Sequence, residues 1–99
     1  MSLTDKNLLL ARPHPNAFIG GEQRLYKLAN GYGLSVVNGA MLRSYEFAWE
    51  VAVLTDMKED GSFGNLTYAT PLTDDAEVFY SDEETNAFIE KAIAWGESQ

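Results

Sequence analysis

From Arg24 onward, apolar and polar positions alternate along the chain. Leu25 to Leu28 reads as a strand and Tyr32 to Val37 as its partner, with Tyr32, Leu34 and Val36 on one face. Asn30-Gly31 lies between them, the strongest short hairpin signal, because both residues accept the positive φ that a type I′ turn demands. Asn38-Gly39 offers the next reversal in the same way. The clearest alternation follows in "YEFAWEVAVL", where Tyr45, Phe47, Trp49, Val51 and Val53 share one face and Glu46, Ala48, Glu50, Ala52 and Leu54 the other. The ring-bearing face is expected to be core, with Glu46 and Glu50 turned to water or to a partner on the opposite side.

After this strand, "TDMKEDGSFGNL" reads as a polar loop, and "LTYATPL" as a strand that Pro71 ends or pushes to an edge. "TDDAE" turns the chain again, and Val78 to Tyr80 adds a short strand or a docking segment. The period then lengthens. Ser81 and Glu84 have the spacing of a capping box, and Asp82, Glu83 and Glu84 stand where a helix dipole favours negative charge. A helix is predicted from about Asp82 to Trp95, with Gly96 as its stop. Phe88, Ile89, Ala92 and Ile93 form its apolar stripe, flanked by Trp95. Such a stripe needs a surface to cover, and the aromatic face of the sheet is available. The expected fold is α+β, an antiparallel sheet of about four strands with a C-terminal helix packed on one face.

The first 23 residues are harder to read. Thr4 either caps a short helix through Leu10, stopped by Pro13, or begins an arm lying across the sheet. "RPHPNAFIGGEQ" is loop, since prolines and a Gly-Gly pair break regular pairing. Residues 1–99 are thus read as a single domain whose residues 1–23 are a loosely structured arm and loop. Met1, Ser2 and Leu3 are given no structural role. Leu8, Leu9 and Leu10 are far too short an apolar run for a signal peptide or a spanning helix, so a cytoplasmic location is expected.

Charge changes the picture more than composition does. Residues 1–43 carry Lys6, Arg12, Arg24, Lys27 and Arg43 against Asp5 and Glu22; the rest carry Lys58 and Lys91 against thirteen acids, within a net charge of −8. Nucleic-acid binders usually show a basic stripe and a pI above about 9, whereas the pI here is near 4.4. Direct binding of nucleic acid is therefore disfavoured, as is adhesion to an anionic membrane. With no cysteine, neither a disulfide nor a thiolate metal site can form.

Little catalytic chemistry is visible. His14, the single histidine, sits between two prolines with no orienting partner, and Ser35, Ser44 and Ser62 lie in no nucleophile motif. The loop from Asp56 to Thr67 matches a calcium loop at its first, fifth and sixth positions but has Lys58 at the third and Thr67 in place of the bidentate glutamate. It is read as a hairpin loop, and no metal or other cofactor is expected. The acids from Asp74 to Glu84 are mostly accounted for by turn formation and helix capping. Their alternative role is a protein-binding surface, for which Glu46, Glu50, Asp74, Asp75, Glu77, Asp82 and Glu83 are the candidate residues.

In their order, "NGYGLSVVNG", "YEFAWEVAVL", "YATPLTDD" and "DEETNAFIEKAIAW" resemble small proteins carried by bacteriophages and prophages, over about residues 25–95. The resemblance implies a phage or host-cytoplasm setting and brings no catalytic residue with it. The expected function is a small interaction module whose acidic face engages a basic host or phage protein, in the extreme as a nucleic-acid mimic. The alternative is a self-assembling structural or accessory domain that forms a homodimer through a strand edge or aromatic patch. An enzyme without a recognisable motif ranks third.

Overall fold

A computed structural model describes residues 3–13, 21–38, 49–73 and 77–98. Its central hairpin forms where the alternation predicts one. Strand β2 (Glu22–Lys27) pairs antiparallel with β3 (Gly33–Asn38), Tyr26 opposite Leu34 and Leu25 opposite Ser35. The reversal is not the expected type I′ turn. Only Gly31 takes a positive φ there, +89°. The Gly31 amide donates to the Leu28 carbonyl (3.1 Å), and the Leu28 amide donates to Tyr32 (2.8 Å). This is a three-residue loop closing on a left-handed glycine, a common hairpin connection in its own right. Leu28 is fully buried, so its packing helps decide where the strand ends.

Strand β4 (Trp49–Leu54) pairs with β3, Val36 opposite Val51 and Leu34 opposite Val53. Trp49, Val51 and Val53 are buried on one face as expected, and Glu50 is exposed on the other. Tyr45, Glu46, Phe47 and the Asn38-Gly39 reversal lie wholly or partly outside the described residues.

Among the described residues the sheet has six strands, more than the four or so expected, in the order β1-β2-β3-β4-β5 with β6 also on β4. Two features account for the excess. First, the N-terminal segment forms strand β1 (Leu8–Pro13) along β2, instead of a capped helix. A register shift between Leu8 and Leu10 lets the leucine run serve both faces: Leu8 packs on the helix side, while Leu9 and Leu10 join Leu25, Leu54 and Met57 in a second cluster. Pro13 is tolerated because β1 is an edge. Second, the outer edge of β4 is shared. Strand β5 (Leu66–Thr67) covers Val53 and Leu54, and strand β6 (Glu77–Phe79) covers Trp49 to Val51. Thr67 faces Val53 and Glu77 faces Val51, so the two strands meet β4 at positions only two residues apart.

Helix α1 (Asp82–Glu97) begins at Ser81, whose hydroxyl accepts from the Glu84 amide at 3.1 Å. It buries Phe88, Ile89, Ala92 and Ile93 against Tyr26, Leu34, Val36, Val51 and Val53. Each large side chain shielded in this way contributes about 1.5–3 kcal/mol relative to exposure. Phe79 and Phe88 meet with ring centroids 5.3 Å apart, and Trp95 flanks the stripe on Tyr32 at 5.2 Å. Gly96 does not stop the helix: it is buried inside it, and Ser98 forms the cap. A Cβ on Gly96 would stand 2.9 Å from the Leu28 Cβ and 3.2 Å from the Ala29 nitrogen, so the glycine lets the last turn approach the β2–β3 hairpin.

The N-terminus also departs from expectation. Leu3, given no role above, is buried in the main core. The Thr4 amide donates to Asn86 Oδ1 on α1 (2.8 Å), and the Tyr26 hydroxyl donates to the Thr4 carbonyl (2.7 Å). Among the described residues, no helix is long and apolar enough to cross a membrane.

Candidate interaction surfaces

The sheet separates the candidate acids. In antiparallel pairing, residues directly opposite each other share a face. Glu50 and its neighbour Val78 therefore lie on the face away from α1, whereas Glu77, opposite the buried Val51, lies on the helix side. Glu77 accepts a hydrogen bond from the Thr73 hydroxyl at 3.3 Å. Asp82, at the start of α1, accepts from Trp49 Nε1 at 2.9 Å and so ties the helix to the central strand. Glu83 is exposed on the first turn. Glu46, Asp74 and Asp75 lie outside the described residues. Of the four described candidates, two have intramolecular work and one faces the other way.

A more regular acidic feature runs along the outside of α1. Glu83, Ala87, Glu90, Ala94 and Glu97 are all exposed and recur at helical spacing, with Glu84 and Lys91 beside them. Among the described residues, only Glu90 of this stripe has a basic neighbour in ion-pair range, Lys6 at 3.8 Å. The sequence carries this signal as glutamates seven residues apart, Glu83, Glu90 and Glu97, beside a denser acidic run at the helix start.

A contrasting strip lies at the β5 edge. Residues 61–73 contain no charged side chain. Within them Phe63, Leu66 and Tyr68 are 40%, 54% and 46% exposed. Acids precede the strip at Asp56, Glu59 and Asp60, and Glu77 follows it on β6. Ser62 donates to Asp60 through both its amide and its hydroxyl, and these bonds hold the Asp60 carboxyl below its usual range. The loop thus forms its own turns, and among the described residues no group of three or more histidine or acidic side chains is placed to hold a metal.

An open cleft of about 360 Å³ is lined by Asn30, Gly31, Tyr32, Thr55 and Asp56. Asp56 has a positive φ of 52°, a conformation that aspartate adopts more readily than most residues. Gln23 and Arg24 are engaged within the fold. Gln23 donates to the buried Ser35 hydroxyl (3.3 Å) and accepts from Arg12 Nε (3.0 Å). Arg24 donates to the Tyr26 hydroxyl (3.0 Å) and pairs with Asp5 and Glu22. Burial pushes the Tyr26 phenol above its ordinary value, and the opposing pull of Arg24 does not cancel that effect. For Arg24, burial acts downward, but the bonds to Tyr26 and Asp5 outweigh it and the pKa is raised. His14 and Ser44 lie outside the described residues. No protein-family model matches the chain, and neither does any curated protein or solved structure.

Proposed function

We propose that this protein is a small interaction module that engages a basic protein partner, in a phage or host-cytoplasm setting. The observation that carries the reading is the outward stripe of Glu83, Glu90 and Glu97 on a helix whose opposite side is fully committed to the core. A net charge of −8 draws a cationic partner from a distance, and the ordered stripe gives the encounter an orientation. Such complementarity acts chiefly on association rate and specificity, and it weakens as salt shortens the screening length.

The test is a triple variant, Glu83→Gln, Glu90→Gln and Glu97→Gln, titrated against a fluorescent lysine-rich peptide at low and high salt. Binding by the unaltered protein should fall steeply with salt, and the variant should bind about tenfold more weakly at low salt, equivalent to about 1.4 kcal/mol. Equal binding by both proteins would remove the stripe from the mechanism. A second reading, self-association through the sheet edge, is favoured by the exposed Phe63, Leu66 and Tyr68. Sedimentation over a range of concentrations separates the two, since a monomer throughout excludes a homodimer.

A further inference from the structure

The two edges of the sheet are treated differently. Strand β1 carries the features by which natural edges avoid pairing: a register irregularity, an exposed arginine at Arg12 and a proline at Pro13. Strand β5 carries none of these. Among the described residues it pairs with β4 alone, its residues are Leu66 and Thr67, and the flanking residues 62–65 and 68–69 form no turn or bend. Leu66 lies opposite Leu54, hence on the face away from α1, and Tyr68 follows it two residues on. The shortness of β5 is some protection in itself, but the exposed apolar surface beside it is concentrated in thirteen consecutive uncharged residues, 61–73, of a chain that is 22% charged.

We infer that β5 is a docking edge to which an extended segment of the partner, with alternating apolar and basic residues, adds as a further strand. The inference rests on the interaction reading above and names the partner's chemistry. Alternate side chains of an added strand point to opposite faces. On the face away from α1 they meet Leu66 and Tyr68, which calls for apolar residues. On the helix side the same edge leads past Thr67 to Glu77 and the acidic start of α1, which calls for cations. Charge complementarity also decides against a second copy of this chain. Two molecules of charge −8 repel one another as they approach, whereas a cationic segment is attracted.

The probe is a synthetic nine-residue peptide of alternating valine and lysine, compared with one carrying glutamate in place of lysine. Amide hydrogen exchange and amide chemical shifts of the full chain are followed residue by residue. The amides of Asn65 and Ala69 already donate to the Thr55 and Thr67 hydroxyls, so the outward backbone groups are those of Leu66 and Tyr68. The lysine peptide should slow exchange at these two amides at least tenfold, and the glutamate peptide should leave it unchanged. Leu66→Lys and Tyr68→Lys, both at exposed positions, should weaken binding about tenfold with the thermal midpoint preserved. Protection by the lysine peptide confined to α1 would overturn the edge while leaving the basic-partner reading intact. Equal protection of the edge by both peptides would overturn the charge assignment and that reading with it, as would no binding of either at millimolar concentration. Protection of Leu66 and Tyr68 that grows with protein concentration alone would assign the edge to a second copy and overturn the inference.

Discussion

Replacing Gly96 with alanine sets two effects of known size against each other. In an exposed helix interior, alanine is favoured over glycine by about 1 kcal/mol, because glycine loses more backbone freedom on folding. Gly96 is not exposed. Its new methyl group would stand 2.9 Å from the Leu28 Cβ, closer than real Cβ contacts come, and 3.2 Å from the Ala29 nitrogen. Neither atom is the tip of a flexible side chain, so relief requires the helix end or the hairpin to move. Forcing a methyl group into such a site costs about 1–3 kcal/mol. The clash wins, with a net loss of about 1 kcal/mol, which lowers the thermal midpoint by about 4–8 °C in a domain of this size. Ala94→Gly, on the exposed stripe of the same helical turn, is the control and should also destabilise, by about 0.5–1 kcal/mol. Glycine is thus preferred at one position and alanine two residues earlier. Urea unfolding of the three proteins measures both differences. If Gly96→Ala raises the midpoint, the contact between α1 and the hairpin has room for a methyl group and close packing is not the reason for glycine at this position.

Three further outcomes are expected. Leu3→Ala should lower stability by about 2 kcal/mol, near the lower bound for a buried leucine because Leu3 keeps 7% of its surface exposed at the rim of the core; a urea midpoint within error of the unaltered protein would show that Leu3 does not contribute to the core. Tyr26 has a folded-state pKa raised above its ordinary value of 10.0. The unfolded chain therefore releases this proton first, and the stability held below pH 10 is lost as pH rises from there toward the folded value. Urea midpoints measured between pH 8 and 11 should fall in the upper part of the range, and Tyr26→Phe should show a smaller slope there together with a loss of about 1–2 kcal/mol at neutral pH. Ser81→Ala removes the side chain that accepts from the Glu84 amide and should cost about 1 kcal/mol, read by circular dichroism during thermal unfolding.

Salt dependence of binding and protection at the β5 edge probe different levels of the same functional reading. The first depends on charge seen from a distance, and the second on a few backbone groups within hydrogen-bond reach. Both surfaces lie on the acidic C-terminal part of the chain, yet they differ in kind. The helix stripe is charged and fully hydrated, whereas the edge strip is uncharged and apolar. A partner segment with alternating character satisfies both.

Periodicity by itself determined the β2–β3 hairpin, the buried face of β4 and the helix that covers it, since repeats of two and of 3.6 each leave one apolar side that must find shelter. The Ser81 cap was legible for the same local reason: its partner is three residues away. Tertiary contact decided the remainder. Leu3 and Leu8 carry no periodic signal, and they join the core because β2 and α1 offer a place for them. Gly96 looks like a helix stop in one dimension and becomes a packing surface only when Leu28 lies against it. The acids show the limit most plainly. In the sequence Glu50 belongs to the outer face of its strand and Glu77, Asp82 and Glu83 to a run of acids, but a one-residue step along a strand reverses the face. Pairing with β6 puts Glu50 and Glu77 on opposite sides of the sheet.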